Sequence, residues 1–301
     1  MNATRFRGVT TALVTPFTAD GQIDEARLRE LVDWQIAEGI DGLLAAGTTG
    51  ESATLSHEEH HRVMEIVVDQ AAGRVPVMCG AGSNSTAEAI SLTQHAEKIG
   101  ADAVLSVAPY YNRPTQRGLY EHYRKIAEST TLPVFVYNVP SRTGTNVAPE
   151  TLRRLAELPN VVGVKEASGN LSQIMQILAQ RPTDFLVLSG DDALTFPLVA
   201  LGGDGVVSVA SNEVPGLMTR MVRAMLQGDW DTARRLHFRL LPLMKANFVE
   251  TNPIPVKTAL ALMGKLEPNF RLPLVPASEE TRSLLEKLLA ELEVLSSEVA
   301  A

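Results

Sequence analysis

The chain predicts a (β/α)8 barrel with a C-terminal helical extension. Three observations predict it: eight short apolar runs, stretches of helical period between them, and a length that suits eight such units. The runs fall at residues 8–14, 42–46, 75–79, 103–107, 133–137, 161–164, 185–188 and 205–209. They are rich in Val, Leu and Ala and nearly continuous, as parallel strands covered on both faces should be. In the first intervening stretch Asp24 suits an N-cap, Leu28, Leu31, Val32 and Ile36 share one face, and Gly39 ends the helix before the next run. Residues 1–228 are therefore assigned to the barrel, since a doubly wound sheet would use fewer strands and reverse their order. Strand signals then stop. Residues 232–246 and 278–294 read as amphipathic helices, so 229–301 is assigned to a helical region packed on the barrel. Leu284, Leu285, Leu288, Leu292 and Leu295 form a stripe suited to that packing rather than to a partner.

Composition narrows the function classes. With 45% hydrophobic and 21% charged residues the chain is a folded one that can bury a core. A formal charge of −8 leaves no basic stripe for phosphates, which disfavours nucleic acid and favours small-molecule chemistry. Cys79 is the sole cysteine, so neither an internal disulfide nor a thiolate metal cluster can form. The opening residues lack the apolar core of a signal peptide, and no segment approaches the length of a membrane span. A cytoplasmic location without membrane partners is the expectation.

In a barrel of this kind the chemistry lies where the strands finish at their C-terminal ends. The second run ends in Gly47-Thr48-Thr49-Gly50-Glu51, where small residues can turn backbone N–H groups and two hydroxyls toward a carboxylate. An ordinary connecting loop is the alternative there. The fifth ends in Tyr137-Asn138-Val139-Pro140-Ser141-Arg142-Thr143-Gly144, a phenol at the rim followed by a guanidinium. The phenol could relay protons and the guanidinium grip a carboxylate; a loop hydrogen bond and a surface ion pair are the plainer possibilities. The sixth runs straight into Lys165-Glu166. A lysine at a desolvated barrel mouth loses its charge readily, and a neutral amine attacks a ketone to give an iminium, an electron sink. A Lys165–Glu166 pair is the structural alternative, but neighbours on a strand face opposite ways.

Together GTTGE, PYYN, YNVPSRTG, GVKEASGN and FVETNPIPVK, in this order along nearly the whole chain, resemble the dihydrodipicolinate synthase family. The resemblance implies a barrel enzyme that condenses pyruvate with aspartate semialdehyde to 4-hydroxy-tetrahydrodipicolinate in lysine biosynthesis, without metal or organic cofactor. It places the Schiff-base lysine on Lys165 and a proton relay on Tyr137, Thr48 and Tyr111, the last serving a neighbouring subunit's site, so a homo-oligomer, tending to a dimer of dimers, is implied. Thr49 matches a residue for the pyruvate carboxylate, Arg142 one for the aldehyde's carboxylate, and Gly190 and Val207 match positions lining the pyruvate pocket. Ser52, Ala53, His57, His60, Asn84, Glu88 and Tyr110 match positions that bind lysine as a feedback inhibitor in some members.

Other residues are set aside. His57, His60 and His61 have a spacing that zinc ligands use but lack the Glu of an HExxH motif, so no metal site is assigned. Asp191 and Asp192 are expected to cap the next helix, and Cys79 to be a buried strand residue. Gly80-Ala81-Gly82 is too short a signal for a dinucleotide. Two competing readings remain. An N-acetylneuraminate lyase or keto-deoxy sugar-acid aldolase would share the lysine and tyrosine, and the Ser141-Arg142-Thr143-Gly144 fork favours the shorter semialdehyde over their long substrates. An idle amino-acid-binding barrel would have no need of an iminium-forming amine.

Overall fold

The computed structural model describes residues 3–295; residues 1–2 and 296–301, the ends of the two expected regions, lie outside it. Eight parallel strands close in sequence order. They are β1 (Gly8–Ala12), β2 (Gly42–Ala45), β3 (Val77–Gly80), β4 (Ala103–Val107), β5 (Val134–Asn138), β6 (Val161–Glu166), β7 (Leu186–Ser189) and β8 (Gly205–Ser208). Helices α1 (Glu25–Ala37), α2 (His57–Ala71), α3 (Thr86–Lys98), α4 (Gln116–Glu128), α5 (Pro140–Thr143), α6 (Pro149–Leu155), α7 (Leu171–Gln180), α8 (Thr195–Ala200) and α9 (Pro215–Leu226) come between and after the strands. The extension holds α10 (Trp230–Ala246), α11 (Ile254–Leu262) and α12 (Glu279–Glu291).

Local chemistry explains the boundaries. Asp24 caps α1 by accepting the Arg27 N–H at 3.0 Å, and Leu28, Leu31 and Val32 are buried on the face expected of them. Ser56 and Glu59 form a reciprocal capping box at the start of α2. β1 stops two residues before the end of its apolar run and β3 starts two residues late, while β6 runs two residues past its signal: Lys165 and Glu166 stay in register with Tyr137 and Asn138 of β5. Ladder hydrogen bonds belong to the backbone, so a polar side chain does not end a strand whose neighbours continue.

Inward side chains of the strands, including Leu44, Met78, Leu105, Phe135, Leu188 and Val207, fill the barrel, and Phe6 joins them with its ring 5.5 Å from that of Phe135. A larger apolar layer lies between strands and helices. The seam is tight: Gly8 of β1 pairs with Gly205 of β8, whose φ is +148°, and a Cβ on Gly205 would meet the Gly8 carbonyl oxygen at 2.0 Å. Gly205→Ala should therefore cost more than ~3 kcal/mol, combining backbone strain with separation of the closing strands. Thermal melts monitored by circular dichroism would read this as a large drop in Tm or as failure to fold; a melt like that of the wild type would contradict it.

The extension departs in part from expectation. Leu285, Leu288, Leu289 and Leu292 of the last helical stretch are buried and α12 packs on α10 and α11, but Leu284 is exposed. Successive helical residues are separated by about 100°, which turns Leu284 off the face that Leu285 occupies. Meanwhile α11 sends Val256 and Leu260 against Val14 and Val209, which follow β1 and β8, so the extension reaches the C-terminal face of the barrel.

Candidate active site

Three neighbouring strands set the centre. Tyr137 on β5, Lys165 on β6 and Leu188 on β7 are register partners, so their side chains turn to the same face, into the barrel. Glu166 turns the other way, accepting from the Asn138 side-chain amide at 3.0 Å and the Ser168 N–H at 2.8 Å. No Lys165–Glu166 pair forms. The Lys165 Nζ instead lies 4.2 Å from the centroid of the Tyr137 ring.

Burial pulls the Lys165 pKa down to about 7; the negative field of Asp192 opposes the shift and the Arg142 guanidinium adds to it. A substantial share of this amine is therefore neutral near pH 7, whereas a lysine at its ordinary pKa is almost wholly protonated there. Burial also raises the Tyr137 phenol, countered by Arg142 and by a hydrogen bond with Thr48. A neutral amine and a protonated phenol linked to a threonine hydroxyl can together add to a carbonyl and move the protons that the addition releases.

The cavity above them measures about 620 Å³ and is lined by Thr48, Thr49, Tyr137, Arg142, Lys165 and Gly190 among others. Gly190 is there for space: a Cβ on it would stand 2.7 Å from the Ala167 Cβ and 3.1 Å from the Lys165 Cε. Val207, expected on the pocket wall, is buried inside the barrel with Tyr137 and Leu188, and Val209 lines the cavity instead. Val209 lies just past the end of β8, where the backbone has already turned helical, and so stands nearer the mouth than Val207. Tyr111 does not reach this cavity. It is 91% exposed with φ of +71°, held away from the chain's own site.

Asp191 and Asp192 behave differently from each other. Asp191 caps the turn after β7, accepting from the Ala193 N–H at 2.9 Å, as expected. Asp192 does not cap: its buried Oδ2 accepts the Val209 and Ala210 N–H groups at 3.0 and 2.9 Å, fastening the segment after β8 within the field of Lys165. The capping preference missed this because the N–H groups it satisfies come from a distant part of the chain.

A second cavity of about 260 Å³ shares Thr48 with the first and is lined by Ser52, Ala53, His60, Glu88 and Tyr110. His57 stands 3.5 Å from Glu88 at its edge, and Asn84 offers its carbonyl to the Asn112 side chain at 2.9 Å. The three α2 histidines diverge: His57 is solvated, His60 Nε2 meets the Gly80 carbonyl at 2.7 Å, and His61 stacks on His95. Cys79 is buried in β3, where desolvation raises its thiol pKa and disfavours the thiolate.

Sequence reasoning missed the wall supplied by the extension. Phe248, Val249, Glu250, Thr251 and Asn252 line the main cavity; the Asn252 side-chain amide donates to Thr49 Oγ1 at 3.0 Å, and the Asn252 backbone carbonyl accepts from Arg142 at 3.4 Å. Lys257 and Glu51 form an ion pair of 2.5 Å with neither side chain exposed. Both ends of that pair stand in the GTTGE and FVETNPIPVK motifs, so the available signal was a charge in each with no assigned partner.

Comparison with known proteins agrees with this fold. The model of the dihydrodipicolinate synthetase family matches residues 5–292. A 4-hydroxy-tetrahydrodipicolinate synthase of Nitratidesulfovibrio vulgaris (strain DP4) is 57% identical over 292 residues, covering 97% of this chain and all of that one. The crystal structure of the dihydrodipicolinate synthase of Thermotoga maritima superposes with a TM-score of 0.95 at 49% identity, covering 97% of this chain and 100% of the other. That of Cyanidioschyzon merolae, solved with lysine bound, gives 0.94 at 44% identity, covering 97% and 99%. The chain thus belongs to the dihydrodipicolinate synthetase family and is an enzyme of that family.

Proposed function

We propose that the protein condenses pyruvate with L-aspartate 4-semialdehyde to 4-hydroxy-tetrahydrodipicolinate, in the diaminopimelate route of lysine biosynthesis. The observation that carries this reading is the desolvated Lys165 amine in register beside Tyr137, beneath a cavity that also presents Thr49 and Arg142. The amine adds to the pyruvate ketone and water leaves, giving an iminium. Loss of a methyl proton gives an enamine, whose carbon adds to the aldehyde. The amine of the semialdehyde then displaces Lys165 by transimination and closes the ring. The iminium is itself the electron sink, so the scheme calls for no metal or organic cofactor.

In this scheme Thr49 and its turn hold the pyruvate carboxylate, Gly190 keeps space beside the lysine, and Val207 shapes the barrel floor below. Tyr137 and Thr48 relay protons. The exposed Tyr111, set away from its own cavity, serves the site of a second copy, with a dimer of dimers as the assembly. The single buried cysteine is consistent with the reducing cytoplasm as its location.

Arg142 holds the carboxylate of the semialdehyde. Arg142→Ala should raise KM for the semialdehyde ~10–100-fold, the range for loss of a charge-assisted pair, with pyruvate KM far less affected. Incubation with pyruvate and cyanoborohydride, followed by mapping of the adduct, tests the iminium. Comparing aspartate semialdehyde with N-acetylmannosamine as acceptor tests the substrate. No adduct, or turnover with the sugar alone, would refute the reading.

The second cavity supports a regulatory reading as well. Ser52, Ala53, His60, Glu88 and Tyr110 line it, with His57 and Asn84 beside it, and its contact with Thr48 gives lysine bound there a direct route to the relay. The lysine-bound relative from Cyanidioschyzon merolae adds to that support.

A further inference from the structure

We infer that the buried Lys257–Glu51 ion pair positions the Thr48-Thr49 turn, so that helix α11 of the extension sets the grip on pyruvate. This rests on the pyruvate reading above and goes beyond it by assigning a role to two residues that touch no substrate.

Glu51 closes the loop after β2 with φ of +54°, the left-handed region that a residue with a Cβ seldom occupies unless its surroundings impose it. Its N–H bonds the Thr48 carbonyl at 3.1 Å, and the Gly50 N–H bonds the Gly47 carbonyl at the same distance, so two consecutive hydrogen bonds tie Glu51 to the Thr48-Thr49 turn. The Glu51 carboxylate points inward and receives the Lys257 ammonium at 2.5 Å, with neither side chain exposed. Lys257 also donates to the Asn269 carbonyl at 2.7 Å and lies 4.5 and 4.9 Å from the ring centroids of Phe17 and Phe270.

Stability alone does not account for such a pair. Two charges removed from water lose hydration that their attraction roughly repays, and apolar side chains of similar volume hold a fold as well or better. What the pair adds is direction. Asn252, two residues before α11, bonds the Thr49 hydroxyl, and Lys257, inside α11, bonds Glu51 two residues further along the turn. Helix α11 and the segment that leads into it thus hold the turn at both its Thr49 hydroxyl and its strained end. Thr48, whose hydroxyl bonds Tyr137, lies between the barrel and these two anchors.

The test compares Glu51→Gln, Lys257→Met and the double variant in the full chain, at temperatures where melts show each to be folded. The readouts are steady-state kinetics and the pyruvate dependence of the cyanoborohydride-trapped adduct. Each single variant should raise the half-saturating pyruvate concentration roughly tenfold while adduct yield at saturation is kept. The double variant should resemble the singles rather than their product, because the two groups act as one unit. A lower Tm with unchanged pyruvate dependence would assign the pair to stability alone and overturn the inference. If the singles do not fold, Lys257→Arg keeps the charge but carries a planar head into a site shaped for a point donor, and a roughly threefold shift is expected; an unchanged dependence there overturns the inference equally. If the wild type traps no adduct, the pyruvate reading falls and takes this inference with it, whereas failure of the inference alone leaves wild type and variants trapping alike.

Discussion

Lys165→Ala is expected to abolish the pyruvate adduct and to lower the condensation rate by at least ~10⁴-fold, since no other group in the cavity can form the iminium. The variant should fold, because the amine is already costly to charge in its buried site and the Asp192 carboxylate keeps the Val209 and Ala210 N–H groups as partners. The wild-type enzyme should carry a second signature. If the amine titrates at about 7, the initial rate of adduct formation at low pyruvate should rise about tenfold per pH unit below 7 and level off above it. A lysine at the ordinary value would keep accelerating toward pH 10. The direction follows from the causes: desolvation lowers the pKa, the Asp192 carboxylate raises it, and Arg142 lowers it. Asp192→Asn should accordingly move the plateau to lower pH. Trapping rates across pH 5–9 in cyanoborohydride would check this, and a rate still climbing at pH 9 would show that burial does not neutralise the amine.

Lys165 is legible in the sequence and Lys257 is not, and the difference follows from how each meets its partners. Lys165 interrupts an apolar run at a barrel strand's C-terminal end, a purely local pattern. Tyr137 is legible in the same way, and the pairing of the two follows from the strand order. Lys257 lies on a helix where a charged residue attracts no attention, and its partner Glu51 is 206 positions away. Asn252 is similar: its bond to Thr49 spans 203 positions and depends on how the extension folds back over the barrel mouth. Periodicity reports which face of an element is buried, not which distant loop it meets. Asp192 shows the same limit. Its local setting resembles a helix cap, and only the return of β8 beside β7 brings the Val209 and Ala210 N–H groups to it. Tyr111 lies at another boundary, since its expected role requires a second copy.

Tyr137→Phe separates proton transfer from binding. The phenylalanine keeps the ring that packs against the Lys165 amine and the Leu188 neighbourhood, and it removes only the hydroxyl that bonds Thr48. The fold and the pocket should survive, because the phenol contributes one hydrogen bond to a ring otherwise held by apolar contacts. Iminium formation needs a proton delivered to the departing oxygen, and enamine formation needs one taken from the methyl carbon. A positioned acid–base group is worth ~10²–10⁴-fold in such steps. A loss of ~10²–10³-fold in kcat with KM for pyruvate within a few fold is therefore expected, together with slow but complete trapping of the adduct on Lys165. Thr48→Val should lose less, since it removes a link in the relay rather than the group that meets the substrate. Equal losses in kcat and pyruvate affinity would instead mean that the phenol binds the ketone, and unchanged kcat would move the proton chemistry to water or to the substrate's own carboxylate.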